Sequence, residues 1–117
     1  MRRTVLPNTL AICEINPHET RFLYNEIFVQ KTYMKHGVEI SPGDTIIDAG
    51  ANIGLFALFA LVNFNPARVF CFEPATHCLE ALRFNLAAWA IGRSWSGRRL
   101  RIFTARPILP TIPAIAS

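Results

Sequence analysis

Residues 45–60, TIIDAGANIGLFALFA, constrain this chain more than any other stretch. Three β-branched residues run into an aspartate, two glycines bracket an asparagine, and an apolar run follows. β-Branched residues suit a strand, glycine admits the left-handed backbone of a sharp elbow, and the apolar continuation suits a buried helix. The expected structure is a strand ending at Asp48, an elbow of Gly50-Ala51-Asn52-Ile53-Gly54, and a helix over residues 53–64 ended by Asn65-Pro66. A membrane span is excluded as a reading of this segment. Its longest uncharged apolar run, Ile53 to Phe64, falls well short of the roughly 20 residues a bilayer requires.

The remaining bulk properties point to one soluble globular domain: 117 residues, 51% hydrophobic and 17% charged. Arg2 and Arg3 are followed by Pro7, Asn8 and Thr9, which is not a secretory signal. Cys13, Cys71 and Cys78 are odd in number and lack CxxC spacing, so they read as reduced thiols of a cytoplasmic protein with no metal site. The net charge of +4 is concentrated at one end. Arg93, Arg98, Arg99, Arg101 and Arg106 lie beyond residue 92 with no acidic residue among them, leaving seven basic against eight acidic groups before it. A nucleic-acid-binding body is therefore not expected, and no membrane partner either.

Along the chain, TVLPNTLAICEI reads as a hairpin around Pro7-Asn8. NPHETRFLYNEIFVQKTYMKHG reads as mostly helical, with Lys35, His36 and Gly37 at its end. Pro42-Gly43 suits a type II turn. ARVFCFEP is a second strand closed by Glu73 and Pro74, and ATHCLEALRFNLAAWAIG a second helix, with Thr76 capping its start and Gly92 its end. The β-α-β-α order predicts an α/β fold, a doubly wound parallel sheet preceded by a hairpin and helical extension.

In such sheets ligands bind at the carboxyl ends of strands. Gly50 lets a ligand lie against the backbone, and Gly54 allows close packing of helix on strand. Glu73, at the end of the second strand, can accept hydrogen bonds from both hydroxyls of a ribose. A dinucleotide fingerprint wants G-x-G-x-x-G, whereas this elbow reads G-x-N-x-G and follows Asp48, whose charge would repel a phosphate. Both departures suit S-adenosylmethionine, which carries an ammonium, a sulfonium and a ribose. An ordinary strand-turn-helix could carry the same residues.

NPHETRFLYNEIF, YMKHGVEISPGDTIIDAGANIGLFALFA and ARVFCFEPATHCLEALRFNL together resemble FkbM-type S-adenosylmethionine-dependent methyltransferases, densely from about Thr4 to Leu86. The resemblance implies a partial class I methyltransferase fold, Rossmann-like, transferring a methyl group to a hydroxyl of a small metabolite or sugar. It implies that Asp48, Gly50, Ala51, Asn52 and Gly54 line the methionine end of the cofactor and that Glu73 holds its ribose. Where the family commonly has glycine after Asn8, this chain has Thr9.

Past Gly92 the chain reads RSWSGRRLRIFTARPILPTIPAIAS, which matches neither further β-α units nor a helix. RLRIF can form one short strand. Pro107, Pro110 and Pro113 then favour extended or polyproline II backbone, and a PxxP spacing of the kind SH3-like domains read. Residues 1–92 are thus expected to be the N-terminal part of the methyltransferase domain and residues 93–117 a basic, Pro-rich, disordered tail, the domain being truncated. Its incomplete sheet invites self-association. His18, His36 and His77 are candidate general bases on residue type alone, no two stand at metal-ligand spacing, His36 suits a helix end, and no catalytic base is identifiable. Cys71, Phe56, Phe59 and Phe64 read as core, and Tyr24 and Tyr33 can approach the cofactor from the N-terminal helix. Two alternatives are a non-catalytic cofactor- or partner-binding remnant and a nicotinamide-binding oxidoreductase fragment, the latter disfavoured by Asn52.

Overall fold

The computed structural model describes residues 1–35, 37–93, 95 and 99–104. Two short strands, β1 (Arg2–Val5) and β2 (Ala11–Glu14), pair antiparallel as the hairpin. After it, α1 (Pro17–Tyr24) begins where Asn16 Oδ1 accepts from the N–H groups of His18 and Glu19, with Pro17 at the first helical position. The expected long helix does not continue. The backbone widens into a π-helical turn over Asn25–Val29, breaks at Lys31 (φ +53°), and resumes as a 3-10 turn over Thr32–Met34. His36, expected at the end of that helix, lies outside the described residues.

The central sheet follows. β3 (Thr45–Ala49), β4 (Arg68–Phe72) and β5 (Leu100–Phe103) are parallel in that order, with Asp48 beside Cys71 and Ala49 beside Phe72. The turn into β3 closes with Asp44 N–H donating to Ser41 O, and Gly43 at φ +86° fits the type II geometry expected there. α2 (Leu55–Asn63) and α3 (Thr76–Ala90) are the connecting helices. α2 starts two residues later than the sequence pattern suggests, because Gly54 (φ +96°) serves as its left-handed cap. α3 is capped by position 75. Thr76 is its first helical residue and not the cap expected of it.

Every residue of α2 from Leu55 to Leu61 is buried, which explains why its apolar pattern runs all round the helix. α3 and the N-terminal extension pack against this helix, the latter through aromatic rings. Tyr24 stacks on Phe28, Phe28 meets Phe59 edge-on, and Tyr33 meets Phe56 at 5.0 Å. Phe56 and Phe59 lie in the core as expected, with Phe64 half-buried against it. Among the described residues no helix is long and apolar enough to cross a membrane, and no three His, Cys, Asp or Glu side chains gather as a metal site.

β5 extends the ordered structure past Gly92. Its main chain brackets β4: Val69 N–H donates to Arg99 O, and Glu73 N–H donates to Phe103 O. Arg99 locks this strand in place. Its guanidinium donates to the carbonyls of Ala67 and Pro66 and lies over the Trp95 ring, with Cζ 3.8 Å from the centroid. Arg93 likewise covers Trp89. These arginines, expected in a solvated tail, instead brace the start of the third strand and the end of α3. The proline repeat and its PxxP spacing lie outside the described residues.

The hairpin is fastened to the α/β unit by one side chain. Asn85, on α3 and 2% exposed, accepts from Cys13 N–H at 2.7 Å through Oδ1 and donates through Nδ2 to Cys13 O and Ile53 O. The amide thus extends the hairpin's backbone pairing into the helix and ties it to the elbow. Replacing Asn85 with leucine leaves three buried backbone groups without this partner. Asn85→Leu is expected to cost about 3 kcal/mol or more, read as a fall in the urea midpoint. At the hairpin tip Thr9 has φ +76°, a conformation that strains a β-branched residue. Thr9→Gly is expected to stabilise the chain by about 1 kcal/mol, measured the same way.

Candidate functional site

β3 and β4 end side by side, and the elbow at residues 50–54 folds back over them. Three of its residues adopt left-handed backbone: Gly50 at φ +80°, Asn52 at +55° and Gly54 at +96°. Asn52 is tolerated there because asparagine is among the few side-chain-bearing residues that visit this region. Gly54 is required for a further reason. A Cβ on it would stand 2.8 Å from Leu82 Cδ1, so the close approach it allows is to α3 and not to a strand.

Four of the elbow's backbone N–H groups are engaged inside the protein. Gly50 and Ala51 N–H both donate to Phe72 O, Gly54 N–H donates to Ala51 O, and Asn52 N–H donates to Glu73 Oε1 at 2.7 Å. Glu73, buried to 7% exposure, accepts from Ala75 N–H through its other oxygen at 2.8 Å. It therefore fastens the elbow to the start of α3 while each oxygen retains a further lone pair for a ligand donor.

The sequence-derived site residues divide into two groups. Asp48 and Ala51 are fully buried, and Gly54 is buried against α3, so these three shape the site from beneath. Gly50 and Asn52 are half-buried on its surface. The Asn52 side chain was expected to line the methionine end of the cofactor. Its Nδ2 donates to Glu19 Oε1 at 2.8 Å, and its Oδ1 accepts from Cys78 Sγ at 3.4 Å. Glu19 and Cys78 are the participants the sequence pattern did not reveal. Both lie on other helices, and only the N-x-x-E spacing from Asn16 to Glu19 hinted that Glu19 had a local role.

A small cleft of about 60 Å³ opens behind the elbow, lined by Asn16, Glu19, Asn52, His77 and Cys78 among others. That volume suits about two water molecules and is too small for a nucleoside. Tyr33 approaches from the N-terminal extension: burial pushes its hydroxyl pKa up, and the nearby Asp48 and Glu26 carboxylates add to the effect. Tyr24 stacks on Phe28 instead.

The donor set fits the S-adenosyl group better than a pyrophosphate. Phosphate loops present free backbone N–H groups and positive charge. Here four elbow N–H groups are engaged internally, and the charged side chains gathered at the elbow are the carboxylates of Asp48, Glu73 and Glu19. A ligand bearing hydroxyl donors and positive charge meets acceptors; a diphosphate meets repulsion.

The parallel β3-β4-β5 order with its connecting helices defines part of a class I S-adenosylmethionine-dependent methyltransferase fold. A chain of the complex between the Haloferax volcanii Trm112 methyltransferase activator and a methyltransferase matches with TM-score 0.50 at 14% identity, covering 74% of this chain and 34% of that one. No family model matches the chain. Within the class, the chain is a relative of the FkbM-type methyltransferases. It is 48% identical over 80 residues to 31-O-demethyl-FK506 methyltransferase FkbM of Streptomyces tacrolimicus, a match covering 68% of this chain and 31% of that protein. It is also 36% identical over 118 aligned positions to the AMB antimetabolite synthetase AmbE of Pseudomonas aeruginosa, covering 95% of this chain and 6% of that protein. The chain thus spans less than a third of the length of either relative.

Burial also governs the thiols. The Cys71 pKa is raised well above its ordinary value of 9.0, first by burial and then by Asp48. Cys78 is raised by burial, then by Glu73 and Glu19. In the folded chain both thiols keep their proton in a range where the unfolded chain has lost it. This contribution to stability is fully present below pH 9.0 and is lost as pH rises through the folded values. The urea midpoint is therefore expected to fall above pH 9, and Cys71→Ala to make that fall shallower.

Proposed function

We propose that this chain supplies the cofactor-holding part of an S-adenosylmethionine-dependent O-methyltransferase that acts on a hydroxyl of a small metabolite or sugar. One observation carries the reading. Glu73 binds the elbow at Asn52 N–H and α3 at Ala75 N–H, leaving carboxylate lone pairs beside a loop that turns four of its own N–H groups inward. The Streptomyces relative, named for O-demethyl-FK506 methylation, supports a hydroxyl acceptor.

In this reading Glu73 takes the ribose hydroxyls, Gly50 lets the ligand rest against the backbone, and Asp48 contributes negative charge beneath the sulfonium end. When bound, the cofactor supplies an electrophilic methyl group. The protein's contribution is then to orient it, because transfer requires in-line approach of the acceptor oxygen. Asp48 and the elbow set that orientation from below, while Tyr33 and the N-terminal extension bound the site from the side.

Calorimetric titration with S-adenosylhomocysteine and, separately, with NADH tests the assignment. Binding of the first, no measurable binding of the second, and at least about tenfold weaker binding by Glu73→Gln are expected, since a carboxamide keeps one accepting oxygen and sets its NH2 against the other of the two backbone N–H groups. Preference for NADH would sink it and favour the nicotinamide reading.

A further inference from the structure

Asn52 is held from three directions at once. Its N–H reaches Glu73 at the end of β4, its Nδ2 reaches Glu19 on α1, and its Oδ1 receives Cys78 Sγ from α3. Glu19 stands out among these because it comes from the N-terminal extension, 33 residues away, and is solvent-exposed. Its backbone is anchored at the helix cap. Asn16 Oδ1 accepts from Glu19's own N–H, and the buried Thr20 next to it donates from Oγ1 to Asn16 O. A glutamate three residues after a capping asparagine ordinarily turns back to the cap's own N–H. This one accepts instead from the elbow.

We propose that Glu19 is a positioning residue for the cofactor elbow. Its carboxylate fixes the Asn52 amide, and through Asn52 it sets the left-handed backbone at the elbow and the orientation of Glu73 toward the ribose. The inference rests on the methyltransferase reading and adds to it a second attachment, from α1, that the two β-α units do not contain. An exposed hydrogen bond to a charged acceptor stabilises the fold little, so its consequence is expected in ligand affinity and not in global stability.

The experiment is a double-mutant cycle on the full chain, titrated with S-adenosylhomocysteine by calorimetry. Glu19→Ala is expected to weaken binding about fivefold, and Glu19→Gln, whose carbonyl oxygen still accepts, to stay within about twofold of the parent. Asn52→Gly removes the side chain while permitting φ +55°. Combining it with Glu19→Ala is expected to weaken binding no further than Asn52→Gly alone. Thermal midpoints of the Glu19 variants are expected to stay within about two degrees of the parent. Additive effects, or a Gln variant as weak as the Ala variant, would overturn the proposal, since Glu19 would then act on the ligand by its charge. If the parent chain fails to bind, the methyltransferase reading falls. The positioning role is still read without ligand from the Asn52 side-chain amide resonances, which must shift in Glu19→Ala and return in Glu19→Gln; unchanged resonances overturn it.

Discussion

The carboxylate of Glu73 closes a circuit on which the strand-end face depends. Its N–H is held by Phe103 O of β5, its Oε1 accepts from the elbow at Asn52, and its Oε2 accepts from Ala75 at the start of α3. Three segments that are distant in sequence thus meet at one residue. Charge-assisted bonds of this kind are about twice as strong as neutral ones, and a buried carboxylate deprived of them would carry a desolvation cost. The left-handed elbow and the first turn of α3 therefore depend on the same carboxylate.

A second junction ties in the N-terminal extension. Asn85 treats the hairpin at Cys13 as though it were a neighbouring strand, and its Nδ2 also reaches Ile53 in the elbow. Phe28, backed by Tyr24, and Tyr33 then cover α2 at Phe59 and Phe56. The extension is structurally continuous with the site. Strain in the hairpin and in the helical segment, at Thr9 and Lys31, is borne by backbone that these contacts hold in place.

Much of this was legible from local pattern. The β-branched run, the glycines and the apolar helix specify β3, the elbow and α2, and the phenylalanines of α2 lie in the core where helical spacing put them. What was not legible depends on contacts across the chain. Asn85 and Cys13 are 72 residues apart, Glu19 and Asn52 are 33 apart, and Arg99 meets Ala67 across 32. No local periodicity encodes such pairings, because a polar residue on a helix looks the same whether it faces water or a distant carbonyl. The basic stretch beyond Gly92 misled for the same reason. Its arginines read as solvated charge, yet Arg99 satisfies two carbonyls and covers an indole ring. The long N-terminal helix failed at Lys31, where the chain must turn to bring Tyr33 against Phe56.

The polarity of the elbow decides what it can hold. A glycine loop at a helix N-terminus is a default anion site, because its N–H groups point outward and the helix dipole adds positive potential. Here the same geometry has been inverted. Phe72 O draws the N–H groups of Gly50 and Ala51 inward, and Glu73 takes that of Asn52. Asp48 lies beneath the turn and Glu19 stands beside it, so the potential at the surface is set by carboxylates. Substituting Asn52 for the second glycine of a dinucleotide loop is part of that inversion. Its side chain gives Glu19 something to hold, and its Cβ occupies space a pyrophosphate would need. In the proposed reading, this arrangement favours ligands that donate hydrogen bonds and carry positive charge, because acceptors and not donors face them.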